Sequence, residues 1–221
     1  RDLRIAARAL AQRANTVSHI ADERLTRPYI GSNAMKLPPS TDWSHRPELW
    51  KGPISPPGHA PARNNTAFGA DVKLYHDSKT PALALRQVRN SRPEDLSPFG
   101  LSIDVFDFDG SFLSLVIEAP DGIVAGLESR HILRLSMRAS AEHDVGVSVR
   151  LNLKHGPNTE QVSRKATFAP DGAETEFDMA YVPFREGRAE HVWFDIFLEE
   201  TAMNQVSIHD LTLSRHVRAS A

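Results

Sequence analysis

From about residue 99 almost to the C-terminus, apolar and polar residues alternate. Leu101, Ile103 and Val105 alternate with Ser102 and Asp104. Val145, Val147, Val149, Leu151 and Leu153 are interleaved with Gly146, Ser148, Arg150 and Asn152. Val192, Phe194, Ile196 and Leu198 repeat the pattern. A period of two places every second side chain on one sheet face, so these runs predict half-buried β-strands. Strands are expected near 99–107, 111–118, 131–139, 144–154, 160–168, 174–182, 190–199 and 205–214. A shorter one is expected at 72–75, whereas 82–88 reads as helix by composition and as strand by alternation. Phe108-Asp109-Gly110-Ser111 predicts a tight hairpin between the first two strands of the main run, because Gly tolerates positive φ. The gaps are too short for the crossover helices of a parallel sheet. The expected fold is mainly β: an antiparallel jelly-roll β-sandwich of about eight to ten strands over 64–216.

Two segments precede that domain. In 1–27, Leu3, Ala7, Leu10, Ala14, Val17 and Ala21 recur at helical spacing, and Arg1, Arg4 and Arg8 form a second stripe. This predicts an amphipathic helix. A basic stripe suits a membrane surface or an acidic partner, but the face is Ala-rich and lacks Trp or Phe, which favours packing on a neighbour or self-association. In 28–63, Pro38, Pro39, Pro47, Pro53, Pro56, Pro57 and Pro61 break any regular helix or central strand. Yet Tyr29, Trp43 and Trp50 lie there, and disordered linkers rarely keep such large aromatics. The expectation is an extended arm that lies over the domain and inserts Trp43 and Trp50 as anchors.

The composition narrows the chemistry. The net charge of -2 supplies no global basic field for nucleic acid. The absence of Cys excludes disulfides, thiolate metal sites, iron–sulfur clusters and a Cys nucleophile. No apolar run approaches the ~20 residues of a membrane-spanning helix. No apolar stretch follows the N-terminal charges as in a signal peptide, so a cytoplasmic location is expected. The chain starts at Arg1 rather than Met, however, so residues can be missing upstream.

Candidate chemistry is sparse. Trp193 is out of phase with Val192, Phe194 and Ile196, so alternation places it off the core face. Such a Trp is either a platform for a ligand or is covered by another segment, for which the Pro-rich arm is the obvious choice. Asp195 shares its phase, where ordinary solvation accounts for it. The break between two patterned strands, Lys154-His155-Gly156-Pro157-Asn158-Thr159-Glu160, offers His155, Asn158 and Glu160 as hydrogen-bonding groups, or is simply a turn. Asp104, Asp107 and Asp109 suggest an exposed acidic hairpin more than a calcium site, whose helix-loop-helix spacing they lack. The ten histidines include no His-x-His pair and no His-Glu-x-x-His. Glu118 and Glu199 would act as paired acids only if the fold joined them. There is no nucleophile elbow, Walker loop or dinucleotide Gly fingerprint. No cofactor or metal is expected.

Thr41-Asp42-Trp43-Ser44-His45-Arg46-Pro47-Glu48-Leu49-Trp50, residues 86–96 and residues 154–160 resemble an uncharacterised, mainly alphaproteobacterial protein family. That family has no established activity and so implies no functional residues. Val206-Ser207-Ile208-His209-Asp210-Leu211-Thr212-Leu213 resembles the closing strand of jelly-roll carbohydrate-binding modules. The second resemblance implies a non-catalytic module for a saccharide or glycoconjugate, using Trp193, Asp195 or the 155–160 loop. The alternatives are an assembly protein that docks through its N-terminal helix, and an enzyme with a convergent His/Asp/Glu site.

Overall fold

Most of the alternating runs form strands, and these build two antiparallel sheets packed face to face. A computed structural model describes residues 6, 10, 13, 14, 17, 28–80, 82–92, 94–169 and 172–218. The strands are β1 (Thr41–His45), β2 (Gly58–His59), β3 (Thr66–Ala67), β4 (Val72–His76), β5 (Ala82–Arg89), β6 (Phe99–Asp107) and β7 (Leu113–Glu118). They continue as β8 (His131–Ala141), β9 (Gly146–His155), β10 (Asn158–Lys165), β11 (Phe168–Ala169), β12 (Gly172–Asp178), β13 (Ala189–Glu199) and β14 (Asn204–Val217). The first sheet has the order β11-β12-β8-β14-β6-β5-β2, with β1 also paired to β14. The second has the order β10-β9-β13-β7-β4-β3. This is a β-sandwich of jelly-roll type.

The core lies between the sheets, and the period of two decides who enters it. Leu101, Ile103, Leu135, Leu211 and Leu213 of the first sheet meet Leu115, Ile117, Leu151, Phe194 and Ile196 of the second, all buried. Burying each such side chain is worth roughly 1.5–3 kcal/mol. Phe177 and Phe194 touch with ring centroids 6.0 Å apart. The ambiguous run at 82–88 is strand β5, because pairing with β6 and burial of Leu83 and Leu85 outweigh its helical composition.

The arm is more ordered than its prolines suggest. It contributes β1 and β2 to the first sheet. Trp50 is fully buried and donates its indole N–H to the Ile208 carbonyl at 3.0 Å. Arg46, also buried, donates to both carboxylate oxygens of Asp210 at 2.9 and 2.8 Å and to the carbonyls of Ser32 and Ala34. Strand β14 bends at a bulge between Ile208 and Asp210. Its Asn204–Ile208 half pairs with β6, and Leu213–His216 pairs with β1.

The expected hairpin at Asp109-Gly110 does not form. Strands β6 and β7 lie in different sheets, so Phe108–Phe112 crosses from one to the other. Gly110 does not take positive φ. It serves close approach instead: a Cβ there would lie 2.5 Å from Asp77 Oδ1. Asp77 accepts from the Ser111 and Phe112 amides, and Asp109 accepts from Ser78 Oγ and the Lys79 amide. The two crossing turns therefore clasp each other.

Of the helix expected at 1–27, the described residues are Ala6, Leu10, Arg13, Ala14 and Val17, all helical and exposed. The Arg1, Arg4 and Arg8 stripe and the rest of the apolar face lie outside the described residues. Among the described residues no helix is long and apolar enough to cross a membrane.

Candidate functional site

Trp193 faces outward, as its phase predicts. Strands β10, β9, β13, β7 and β4 lie side by side, and their register builds three rows on the outer face of the second sheet. The first row is Gln161, Asn152, Trp193 and Glu118. The second is Ser163, Arg150, Asp195, Val116 and Lys73. The third is Lys165, Ser148, Phe197, Ser114 and Tyr75. A shallow cleft of about 290 Å³ opens over them, its aromatic rim formed by Tyr75, Phe112, Trp193 and Phe197. None of its lining residues comes from the arm. The arm lies on the first sheet, so the expectation that it covers Trp193 is corrected.

The polar groups of this face hold one another in place. Asp195 Oδ2 accepts from Arg150 Nε at 2.8 Å, from Arg150 Nη2 at 2.6 Å and from Asn152 Nδ2 at 3.0 Å. Asn152 Oδ1 in turn accepts from Gln161 Nε2 at 2.8 Å. The Arg150 guanidinium also lies 4.8 Å above the Phe197 ring. Asp195 is only 4% exposed. The reading of Asp195 as a solvated surface carboxylate is therefore corrected: it is the buried hub that orients an Arg and an Asn at the cleft floor.

Trp193 has its own support. Its ring stacks on His191, with centroids 5.5 Å apart and planes 25° apart. His191 Nε2 and Glu118 Oε2 are 2.8 Å apart, and Lys73 Nζ lies 3.3 Å from Glu118 Oε1. One face of the indole is thus taken by an imidazole that a carboxylate holds, and Trp193 also lines the cleft.

The remaining candidates fall elsewhere. His155, Asn158 and Glu160 cluster at the β9–β10 hairpin, where Gly156 takes φ +57. In register, Glu160 pairs with Leu153, which points into the core, whereas Gln161 pairs with the outward Asn152. His155, Asn158 and Glu160 therefore share the inward phase, opposite to Trp193 and Asp195. His155 Nε2 and Glu160 Oε1 are 3.3 Å apart. The five residues do not make one site; the strand phase separates them into two.

The acidic trio separates as well. Burial alone would raise the Asp104 carboxyl, but bonds from Arg86 and Gln205 outweigh it and hold the group below its usual range. Asp109 belongs to the turn clasp and Asp107 is exposed. Glu118 pairs opposite Trp193, six residues and about 20 Å along β13 from Glu199, so the two are no acid pair. Among the described residues no group of three or more His, Asp or Glu side chains is placed to hold a metal ion.

No motif in the sequence marks Tyr75, Phe112, Arg150, Asn152, Gln161 or Phe197 as part of a site. Arg150 and Asn152 alternate with Val149, Leu151 and Leu153, so their outward phase was legible. The register that sets them beside Asp195 and Trp193 was not.

A family model described as a family of unknown function, DUF6478, matches residues 1–221. No curated protein matches the sequence. Among solved structures, the enzymatically active domain of a bacteriophage CBA120 tailspike protein is similar over 67% of this chain, at 5% identity and TM-score 0.46. The matched part spans only 20% of that tailspike chain. A family 11 carbohydrate-binding module from Clostridium thermocellum, in complex with a mixed-linked tetrasaccharide, is similar at 10% identity and TM-score 0.37, over 68% of this chain and 92% of its own. The CBM22-1 xylan-binding domain of Paenibacillus barcinonensis Xyn10C is similar at 9% identity and TM-score 0.40, over 85% of this chain and 100% of its own.

Proposed function

We propose that this chain, which belongs to the DUF6478 family of unknown function, is a non-catalytic module that binds a saccharide on the outer face of its second sheet. One observation carries the reading: Trp193, Tyr75, Phe112 and Phe197 rim a cleft whose floor is a hydrogen-bonded Arg150, Asp195, Asn152 and Gln161 set. Sugar rings have an apolar C–H face and a polar hydroxyl edge. An indole face suits the first. Amide and guanidinium groups with fixed donors and acceptors suit the second. Because Asp195 and the Phe197 ring hold the Arg150 guanidinium, little side-chain entropy is lost when it meets a hydroxyl. The floor's charges, Arg150 and Asp195, cancel, which suits a neutral ligand.

The test is a glycan array followed by calorimetry on the wild type and W193A. The expected result is binding of at least one oligosaccharide, weakened about tenfold or more in W193A while the melting temperature holds. Absence of binding to every glycan, or equal affinity in W193A, would refute the reading.

A second reading is self-association through residues 1–27, favoured by the 70% and 66% exposure of Leu10 and Val17 on their helix. Light scattering of the full chain against a deletion of 1–27 tests it: an unchanged monomeric mass in both removes it.

A further inference from the structure

A second cleft, of about 570 Å³, lies on the opposite side of the sandwich, over the outer face of the first sheet. Its floor is two cross-strand rows: Glu174, Ser136 and Thr212, then Arg138 and Asp210. Three segments wall it: the arm at Lys36, the β5–β6 connection at Leu96, and Thr167 and Ala169 at and just before β11. We propose that this cleft is a separate binding site for a compact, neutral, polyhydroxylated molecule, a single sugar unit or a cyclic polyol.

Three observations define that chemistry. The first is unused hydrogen-bonding capacity. Thr212 is only 6% exposed and lines the cleft, yet its hydroxyl has no partner among the described residues. Ser136, directly opposite in register, likewise has none. Two adjacent hydroxyls that both donate and accept, and that face the cleft, match vicinal hydroxyls on a ligand.

The second observation is charge. Lys36 and Arg138 balance Glu174 and Asp210 around the cleft. The floor charges are already engaged. Asp210 takes two bonds from Arg46. Glu174 sits 2.9 Å from Arg134 Nη1. Arg138 Nη1 donates to the Glu94 carbonyl at 2.8 Å and lies 3.5 Å from Asp95 Oδ1. An ionic ligand would have to break such pairs, whereas a neutral one uses the lone pairs left on Glu174 and Asp210.

The third observation is shape. No aromatic ring lines the cleft among the described residues, so the ligand is gripped at its edge by hydrogen bonds and not stacked on a ring. The volume falls in the range of ordinary small-molecule sites, roughly 300–1,000 Å³, and the walls on three sides favour a compact ligand over a long chain. This site differs from the Trp193 face in residues, in sheet and in mode of contact. It stands whether or not the Trp193 face binds a glycan.

The experiment is an NMR titration of the full chain with glucose, galactose, xylose and myo-inositol, each added to the wild type, W193A and S136A/T212V. At least one probe is expected to shift the amides around Ser136, Arg138 and Thr212. W193A should retain those shifts, and S136A/T212V should weaken the affinity about tenfold, as loss of two hydrogen bonds implies. S136A alone, at a half-buried position, serves if the double variant unfolds, with a smaller loss in the same direction. The proposal is overturned if no probe shifts these amides, if W193A abolishes the shifts, or if the hydroxyl variants bind as the wild type does.

Discussion

Asp195→Ala tests whether the outer face of the second sheet is a preorganised unit or a loose set of polar side chains. The substitution removes the acceptor of two bonds from Arg150 and one from Asn152. Breaking a fully buried pair by deleting one partner costs about 3–5 kcal/mol, and a fully exposed pair is worth about 0–1 kcal/mol. Here the Asp195 side chain is 6% exposed but that of Arg150 is 34%, so solvent screens the pair and recovers part of the loss. Asn152 is buried and loses one donor contact, although its oxygen keeps Gln161. The expected cost is about 2 kcal/mol, which for a chain of this size lowers the melting temperature by about 4–8 °C. Calorimetric or circular-dichroism melting measures it, and the cycle of R150A, D195A and the double variant should give a coupling of about 1 kcal/mol or more. Saccharide affinity should fall in D195A even where the fold is intact, because Arg150 and Asn152 lose their fixed orientation. A melting temperature within about 1 °C of wild type, with additive single and double variants, would refute the hub reading of Asp195.

Two further predictions concern the clasp between the crossing turns. Gly110→Ala should cost about 1–3 kcal/mol, read by urea denaturation, because the new Cβ would lie 2.5 Å from Asp77 Oδ1 and 2.8 Å from the Ser78 amide; a neutral outcome would show that the turns separate freely. Hydrogen bonds from Ser111 and Ser78, ahead of a smaller opposing effect of desolvation, hold the Asp77 and Asp109 carboxyls below their ordinary value of 3.8. A lowered folded-state pKa contributes stability that is present above the unfolded value and is lost as pH falls through the folded one. D77N/D109N should therefore be less stable than wild type at neutral pH, with the gap narrowing below about pH 4; a gap independent of pH would refute the assignment.

The fold was legible where one face of a strand is wet and the other dry. Val149, Leu151 and Leu153 against Arg150 and Asn152 announced both a strand and its outward residues, and the same arithmetic turned Trp193 to the surface. Pairing was not legible, because phase says which face a residue takes and not which strand lies beside it. Asp109-Gly110 shows the limit: the dipeptide suits a hairpin, but the chain uses the glycine to pass Asp77 while changing sheets. Asp195 shows another, since its outward phase implied solvation until register set Arg150 and Asn152 around it. The arm resisted reading because its order comes from distant partners, Arg46 with Asp210 and Trp50 with Ile208, and not from any period of its own.

Strand β1 has a consequence for how the molecule keeps to itself. Beyond the bulge at Asp210, β14 runs past the end of its pairing with β6, and Leu213–His216 would present bare amides and carbonyls along that edge if β1 did not cap it. Uncapped edges recruit strands from other chains. The arm, anchored through Arg46 and Trp50 rather than through a sheet of its own, thus makes the outer strand of this seam a short one with a register shift between Thr41 and Trp43, the kind of edge that resists edge-to-edge aggregation. A version of the chain that begins after Arg46 bares Leu213–His216 of β14 in place of the short β1 edge.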